Sequence, residues 1–244
     1  MYHILFVCMG NICRSPTAHA VMQHLLGDAK LLPCVRVDSA GTHAYHVDAA
    51  PDVRSQHHAS ARGYDLSGLR ARQIQPQDFQ QADLILAMDW NNLALLQAQC
   101  PPDTAHKVRR MAEFFQHHPD TVVPDPYEEG PAGFEKVIDL IEDGCQGLLQ
   151  HLLTPAALLR CLPAWRRLDD RPALQRDFEF SSFIDAMAFV QRVAVQAEAH
   201  QHHPEIWNVY HRVRMTLTTH DANGLTLKDL ALAHAIDQAG SPAR

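Results

Sequence analysis

Val7-Cys8-Met9-Gly10-Asn11-Ile12-Cys13-Arg14-Ser15-Pro16 decides the reading of the front of this chain. Before it stands a short run of branched and aromatic residues, YHILFV at 2–7, which reads as a strand; from Pro16 the apolar spacing turns helical. Ser15 is the expected N-cap and Pro16 the expected first helical residue. A loop between a strand end and a helix start turns successive backbone N–H groups inward as an anion nest, and the helix adds the positive end of its dipole. Five residues separate Cys8 from Arg14. Arg14 offers a fork of donors that suits phosphate oxygens, and the same positive field favours the thiolate form of Cys8, the form that attacks. Gly10 is expected to permit close backbone approach, Asn11 to hold the loop through side-chain bonds, and Ser15 to donate its hydroxyl to the sulfur. The segment therefore reads as a nucleophilic thiolate in a phosphate cradle.

Working outward, Val35–Ser39 reads as a second strand closed by Ala-Gly-Thr, and a helix over about Val53–Arg62 ends at Gly63. ADLILAM, Ala82–Met88, is a near-continuous apolar run, as in a strand buried on both faces. Leu93–Ala98 belongs to a helix, the stretch around His106–Met111 to a further strand, and Phe134–Leu153 has the period of a long amphipathic helix. Strands alternating with helices imply an α/β domain with a doubly wound, open parallel sheet. The pattern changes at Thr154-Pro155, a short turn-like join, so the expected domains are 1–154 and 155–244. Behind it, Leu174–Phe180 alternates as a strand. Ser182 with Asp185 caps a helix running to about His200, with Phe183, Ala186, Met187, Val190 and Ala194 on one face. Val209–Thr218 alternates strictly and reads as one half-buried strand, and Thr226 with Asp229 caps a last helix carrying Leu230, Ala233 and Ile236. This predicts a smaller α+β domain, an antiparallel sheet with helices on one face.

The front segment resembles the active-site loop of the low-molecular-weight protein tyrosine phosphatases. Ser39-Ala40-Gly41-Thr42, Arg70-Ala71-Arg72-Gln73, Met88-Asp89 and the downstream Asp125-Pro126-Tyr127 extend the resemblance over residues 1 to about 150. It implies that Cys8 is the nucleophile, that Asp125 protonates the departing phenolate and then activates water, and that Tyr45 and Tyr127 wall a cleft for an aromatic ring, so the implied substrate is a phosphotyrosine protein. It also implies that Cys13 pairs with an oxidised Cys8 and shields it, the competing reading being a small apolar loop filler. One departure stands out: the family usually has His before the Arg-Ala-Arg-like stretch, and here the residue is Leu69. An arsenate reductase, which shares the fold and the cradle, is the rival reading, but it needs a further redox cysteine pair, and Cys100 and Cys145 are not spaced as one. Cys34, Cys100, Cys145 and Cys161 read as packing residues.

Histidine pairs occur at His57-His58, His117-His118 and His202-His203. Only the last is followed by Asn208-Val209-Tyr210, an alternating stretch, Thr219-His220 and Asp229; the other two pairs are read as surface residues. This rear constellation, from about Trp165 through Phe178-Glu179-Phe180 to Ile236, resembles pterin-4a-carbinolamine dehydratase. The resemblance implies a pterin substrate, His202, His203 and His220 at the reacting centre, and Glu198 and Asp229 holding the pterin or orienting imidazoles. Histidines move protons near neutral pH without a metal, so no cofactor is expected. Three histidines around zinc is the minority alternative, and Asp229 reads equally well as a helix cap. Trp207 reads as plain packing. Family members also serve as oligomerisation or co-regulator modules, which is the competing class for this half. The resemblance implies a homo-oligomer built through the rear half.

The bulk numbers bound the rest. The chain has 244 residues, 46% of them hydrophobic, and a net charge of −7 with His neutral. That is enough for two modest cores, and it lends nothing to nucleic-acid binding, which leans basic. The first apolar run, Ile4 to Cys8, is too short for a signal-peptide core and lacks a basic flank, and no run approaches a membrane span. Six cysteines in a chain this long form no disulfide scaffold. A cytoplasmic protein with reduced thiols is expected.

Overall fold

β1 (Tyr2–Cys8) is buried along its whole length, as a run of branched and aromatic residues inside a parallel sheet must be. In the computed structural model, which describes residues 1–240, β1 lies between β2 (Val35–Gly41) and β3 (Leu84–Ala87). β4 (Val108–Arg110) lies outside β3, and all four strands are parallel. Parallel neighbours need crossover connections. These carry α1 (Arg14–Asp28), α2 (Val53–Ala61), α3 (Pro76–Gln81) and α4 (Trp90–Gln99), and α5 (Pro131–His151) follows β4. Leu5, Val7, Ile85 and Ala87 pack with Phe79, Leu96 and Val108 in the sheet core. The order β2-β1-β3-β4 reverses direction at β1. Open α/β sheets bind ligands at such a switch point, outside the carboxyl ends of the strands. Cys8 is the last residue of β1, paired with Gly41 at the end of β2.

α1 begins earlier than the sequence suggested. The Cys13 carbonyl accepts from the Thr17 N–H at 3.3 Å and from the Thr17 hydroxyl at 2.7 Å, so Arg14 is already helical and Ser15 does not cap. Pro16 stays in the first turn, where a missing N–H costs nothing. α2 is capped by Asp52, whose side chain accepts from the Arg54 N–H, and the chain leaves it through Gly63 at φ +89°. α3 was not anticipated. Its signals are Pro76 at the first position and the Asp78 carboxylate returning to the Gln75 N–H at 2.7 Å, but six residues carry no readable period.

The chain forms two units, one of Tyr2–Asp28 with Val35–Leu149, the other of Met1, Ala29–Cys34 and the chain from Gln150 onward. The turn lies over Gln150–Thr154, closed by Leu153 N–H to Gln150 C=O and Thr154 N–H to His151 C=O. Thr154 and Pro155 themselves open a helix that the sequence reading missed, α6 (Pro155–Cys161). The rear sheet is antiparallel in the order β5-β6-β8-β7, with β5 (Arg166–Arg167), β6 (Leu174–Glu179), β7 (Glu205–Val209) and β8 (Arg212–Leu217). Along β8, Val213, Met215 and Leu217 are buried and Arg212 is exposed, but Thr216 is buried too, so the alternation of a sheet covered on one face holds only at the start of the strand. α7 (Phe183–His200) and α8 (Leu227–Gly240) follow β6 and β8.

Two rear expectations are corrected. Val209–Thr218 is not one strand: Val209 pairs with Arg212 across a two-residue turn, with Tyr210 at φ +52°. The alternation survives such a turn, and no Gly marks it, so the hairpin was illegible. The buried stripe of α7 is Ala186, Phe189, Val193 and Ala197, while Phe183 and Met187 are exposed. Phe189 packs on Phe178 and Phe180 of the β6 end at ring-centroid distances of 4.7 and 5.0 Å, and this turns the helix away from the predicted face.

His3 and His19 of the front unit are buried, and burial is the main cause that holds both below the ordinary value of 6.5. His3 Nε2 and His19 Nδ1 have no hydrogen-bond partner among the described residues. The folded state therefore favours the neutral rings. Their contribution to stability is complete above 6.5 and is lost as pH falls through the lowered folded values, because the unfolded chain takes up protons that the folded chain refuses. His19→Leu is expected to shrink the fall in the melting temperature of the front unit between about pH 7 and pH 5, measured by thermal scans. An unchanged fall would show that His19 does not carry it.

Candidate functional site

The loop after β1 is shaped by where its carbonyls go. Cys8 C=O accepts from Thr42 N–H at 2.9 Å, Met9 C=O from His43 N–H at 3.0 Å, and Ile12 C=O from Asp52 N–H at 2.8 Å. These three bonds turn the loop's carbonyls toward Thr42, His43 and Asp52. Asn11 sits at φ +55°, a conformation Asn tolerates better than most residues. Its amide nitrogen donates to Ser15 Oγ at 2.9 Å and Ser39 Oγ at 3.0 Å, and its oxygen accepts from Arg72 N–H at 2.9 Å. Ser15 Oγ lies 3.1 Å from Cys8 Sγ and 3.2 Å from Ala40 C=O, so its one hydrogen serves the sulfur or that carbonyl. Leu69, where the family's His was expected, packs instead against the apolar cluster of Ala20, Ala59, Leu66 and Ile138.

Arg14 is 2% exposed, and its guanidinium meets three oxygens. Nη1 donates to Asp89 Oδ2 at 2.6 Å and to Val123 C=O at 3.2 Å; Nη2 donates to Asp125 Oδ2 at 2.6 Å. Burial alone would lower its pKa, but the charges of Cys8 and Asp125 and the bond to Asp89 outweigh it and hold the pKa above the ordinary arginine value. Asp89 was only a motif match in the sequence. Its second oxygen caps α4 through the Asn92 N–H at 2.7 Å, so helix and guanidinium fix it from both sides. Asp125 is half-exposed, and its Oδ1 accepts from Tyr127 N–H at 3.2 Å.

Cys8, Gly10, Cys13, Arg14, Tyr45, Asp125 and Tyr127 line one cavity of about 410 Å³. His46 and Glu128 also line it; single polar residues on separate loops leave no local pattern. Cys13 is buried. Burial is the main cause that pushes its thiol up to about 12, against a weaker bond from Ser55. Cys34, Cys145 and Cys161 are buried as expected, and Cys100 is partly buried, its Sγ 3.3 Å from Thr104 Oγ1.

The rear residues gather around the end of α7. The chain leaves the helix through Gln201 in the left-handed region, and the His202 N–H returns to Ala197 C=O at 3.1 Å. His202 is buried, with Nε2 2.8 Å from Asp229 Oδ1. Asp229 Oδ2 accepts from Thr226 N–H and Thr219 Oγ1, both at 2.7 Å. A carboxylate so supplied with donors is an acceptor for His202 too, which puts the proton on Nε2 and leaves Nδ1. The two readings of Asp229 are both realised: it caps α8 and it holds an imidazole. His203 Nε2 lies 2.9 Å from Glu198 Oε1, with both side chains exposed. His220 is exposed in the turn after β8. Its charge reaches Glu205, whose carboxyl is held low first by the Arg171 bond and only weakly by His220. Among the described residues no hydrogen bond ties His220 to the other two pairs. Trp207 is half-exposed with Arg214 over its ring at 5.4 Å, not packed away. His57, His117 and His118 are exposed; His58 is half-buried, bonded to Glu135 and stacked on Phe134. No group of three or more His, Cys, Asp or Glu side chains suited to a metal ion is present among the described residues. No helix there is long and apolar enough to cross a membrane.

A buried cysteine and a buried arginine thus line one cavity at the switch point of a parallel α/β sheet, and His202 and His203 stand at the end of α7 in an antiparallel α+β unit. Comparison with known proteins agrees. Residues 3–157 match the family described as low molecular weight phosphotyrosine protein phosphatase, and residues 151–239 match pterin 4 alpha carbinolamine dehydratase. The chain belongs to both families, an N-terminal phosphatase-family part fused to a C-terminal dehydratase-family part, and both are enzyme families. It is 36% identical over 152 residues to the low molecular weight protein-tyrosine-phosphatase YfkJ of Bacillus subtilis, covering 62% of this chain and 96% of that one. Over 86 residues it is 49% identical to a pterin-4-alpha-carbinolamine dehydratase homologue of Burkholderia pseudomallei, 35% of this chain and 85% of the other. The crystal structure of an Entamoeba histolytica protein tyrosine phosphatase with Hepes in its active site superposes with a TM-score of 0.61 at 39% identity, covering 62% of this chain and 97% of that one.

Gly41 was quoted as a motif residue without a role. A Cβ there would stand 2.7 Å from Met9 C=O and 3.2 Å from Asn11 N, whereas a Cβ on Gly10 would meet the movable His46 ring at 2.9 Å. The close backbone approach expected of Gly10 therefore belongs to Gly41. Gly41→Ala is expected to weaken inhibition by inorganic phosphate by about tenfold or more, since backbone must shift, and Gly10→Ala by much less. Equal effects, read from phosphate inhibition of aryl-phosphate hydrolysis, would reject this assignment.

Proposed function

We propose that the chain is a bifunctional enzyme in which residues 1–154 hydrolyse protein phosphotyrosine and residues 155–244 dehydrate a 4a-hydroxytetrahydropterin. The observation that carries the first activity is the single cavity holding Cys8 Sγ, the Arg14 guanidinium and the Asp125 carboxyl. The aromatic ring lies between Tyr45 and Tyr127, and the phosphate sits in the loop. Arriving phosphate takes Arg14 Nη2, while Nη1 stays with Asp89 and Val123, and this frees Asp125 from its ion pair. The freed Asp125 carboxylate takes up a proton from solvent; Cys8 Sγ then attacks phosphorus, the S–P bond forms as the P–O bond breaks, and Asp125 gives that proton to the phenolate. Asp125 then takes a proton from water as that water attacks phosphorus and returns the thiolate, with Ser15 Oγ donating to the sulfur.

In the rear half, dehydration protonates the 4a-hydroxyl, breaks the C–O bond and removes a proton from a ring N–H. His203, backed by Glu198, and His220 move these protons, while His202 is held by Asp229 with Nδ1 left for the pterin. The buried His202–Asp229 bond supports this reading. Losing Asp229 would forfeit a cap, about 1 kcal/mol, and leave a buried donor unpaired, about 1–3 kcal/mol. We also place the protein in the cytoplasm, as a homo-oligomer assembled through the rear half, where Ile184, Trp207 and Tyr210 are exposed.

Assaying one full-length preparation on both substrates tests the pair. Cys8→Ser is expected to abolish aryl-phosphate hydrolysis and leave pterin dehydration unchanged. His203→Ala and His220→Ala should do the reverse, by about 100-fold. Asp125→Ala should cost more on poor leaving groups than on good ones. A uniform loss rejects Asp125 as the acid, and loss of both activities in any one variant rejects the separate sites.

Cys13 is the proposed resolving thiol. Burial keeps it protonated, so peroxide meets Cys8 first, and the sulfenic acid formed there condenses with the Cys13 thiol, releasing water and closing a disulfide. Peroxide inactivation is expected to reverse with thiol reductant in the wild type and to become irreversible in Cys13→Ser. Equal rescue would remove Cys13 from the reaction.

A further inference from the structure

Asp125 sits on a loop that burial secures at Val123 and Pro126 but not at Asp125 itself. Asp125 and Tyr127 are both about half-exposed. Upstream the loop is pinned, with Val123 N–H on Met88 C=O at 2.8 Å and Val123 C=O on Arg14. The Asp125 carboxylate itself has two holds, Arg14 Nη2 and the Tyr127 N–H. Phosphate entering the cradle competes for the first. The second then decides where the acid stands, and it depends on what holds Tyr127.

Arg54 holds it. Its Nη1 donates to Tyr127 C=O at 3.0 Å, and its guanidinium carbon lies 5.1 Å from the Tyr127 ring centroid and 4.9 Å from that of Phe134. The guanidinium is aimed by Asp52, with Nε on Oδ1 at 3.0 Å and Nη2 on Oδ2 at 2.9 Å. Asp52 in turn caps α2 and donates its N–H to Ile12 C=O of the phosphate loop. A continuous path of bonds thus runs from Ile12 through Asp52, Arg54 and Tyr127 to Asp125, from the phosphate cradle to the acid. A pair exposed on its arginine side adds little to folding, and Arg54 does not line the cavity that holds Cys8 and Arg14, so neither stability nor a direct grip on phosphate accounts for it.

We propose that Arg54 is a positioning residue for the general acid, a strut that fixes the Asp125–Tyr127 loop against the phosphate loop. The inference rests on the phosphatase reading of Cys8 and Asp125. In the full-length chain, Arg54→Met is expected to lower kcat/KM for phenyl phosphate by about tenfold and for a dinitrophenyl phosphate by less than about twofold, a part of the range for losing a general acid. Inhibition by inorganic phosphate should be unchanged. Arg54→Lys, which keeps a donor and a cation over the ring, should fall between. In an Asp125→Asn background Arg54→Met should add no further leaving-group dependence. Equal losses on both esters, a loss of phosphate inhibition, an additive effect in the double variant, or no loss at all would each overturn the strut. Hydrolysis surviving Cys8→Ser would instead overturn the phosphatase reading itself, and the strut with it.

Discussion

The front unit is organised around one buried charge. Arg14 is 2% exposed, and an unpaired guanidinium at that depth costs several kcal/mol. Its partners are Asp89, Val123 C=O and Asp125, and each brings a different piece of the chain with it. Asp89 sits at the start of α4, just past β3; Val123 ties the downstream segment to Met88; Asp125 stands at the mouth of the cavity. Lysine, a single-point cation, cannot meet three such oxygens in one plane. That one charge thus draws three separate pieces of the chain together: Asp89 and Val123 hold one nitrogen of the fork, and Asp125 holds the other.

The rear unit uses a carboxylate in the corresponding way. Asp229 is wholly buried, yet it is surrounded by donors from Thr219, Thr226 and His202. One group closes the N-terminus of α8, joins it to the turn after β8, and sets the orientation of His202 at the end of α7. His203 and His220 are held far more loosely and stay exposed.

Much of this was legible before any fold was known. The loop between Cys8 and Arg14 could be read because its strand end, turn and helix start are all local in sequence. Asn11, Ser15 and Ser39 are joined by hydrogen bonds beside that loop, although Ser15 lies inside α1 and does not cap it. The Val209–Thr218 stretch misled because alternation continues through a two-residue turn and Tyr210 enters the left-handed region without a glycine to announce it. α7 misled because it carries two apolar stripes with the same period; only the Phe178 and Phe180 rings of the sheet chose between them.

The sequence by itself determined the families and the two fold classes, because period and loop motif are encoded over short spans. The tertiary structure alone decided which distant residues complete those centres. Asp89 became the partner of Arg14, 75 residues away; Gly41 became the point where two backbones meet; Arg54 became the link between the cradle and Tyr127, 73 residues on. Each of these roles depends on an approach across the fold of about 3 Å, the scale of a hydrogen bond. Such approaches are set by how strands and helices pack, and packing leaves no signature in the order of neighbouring residues.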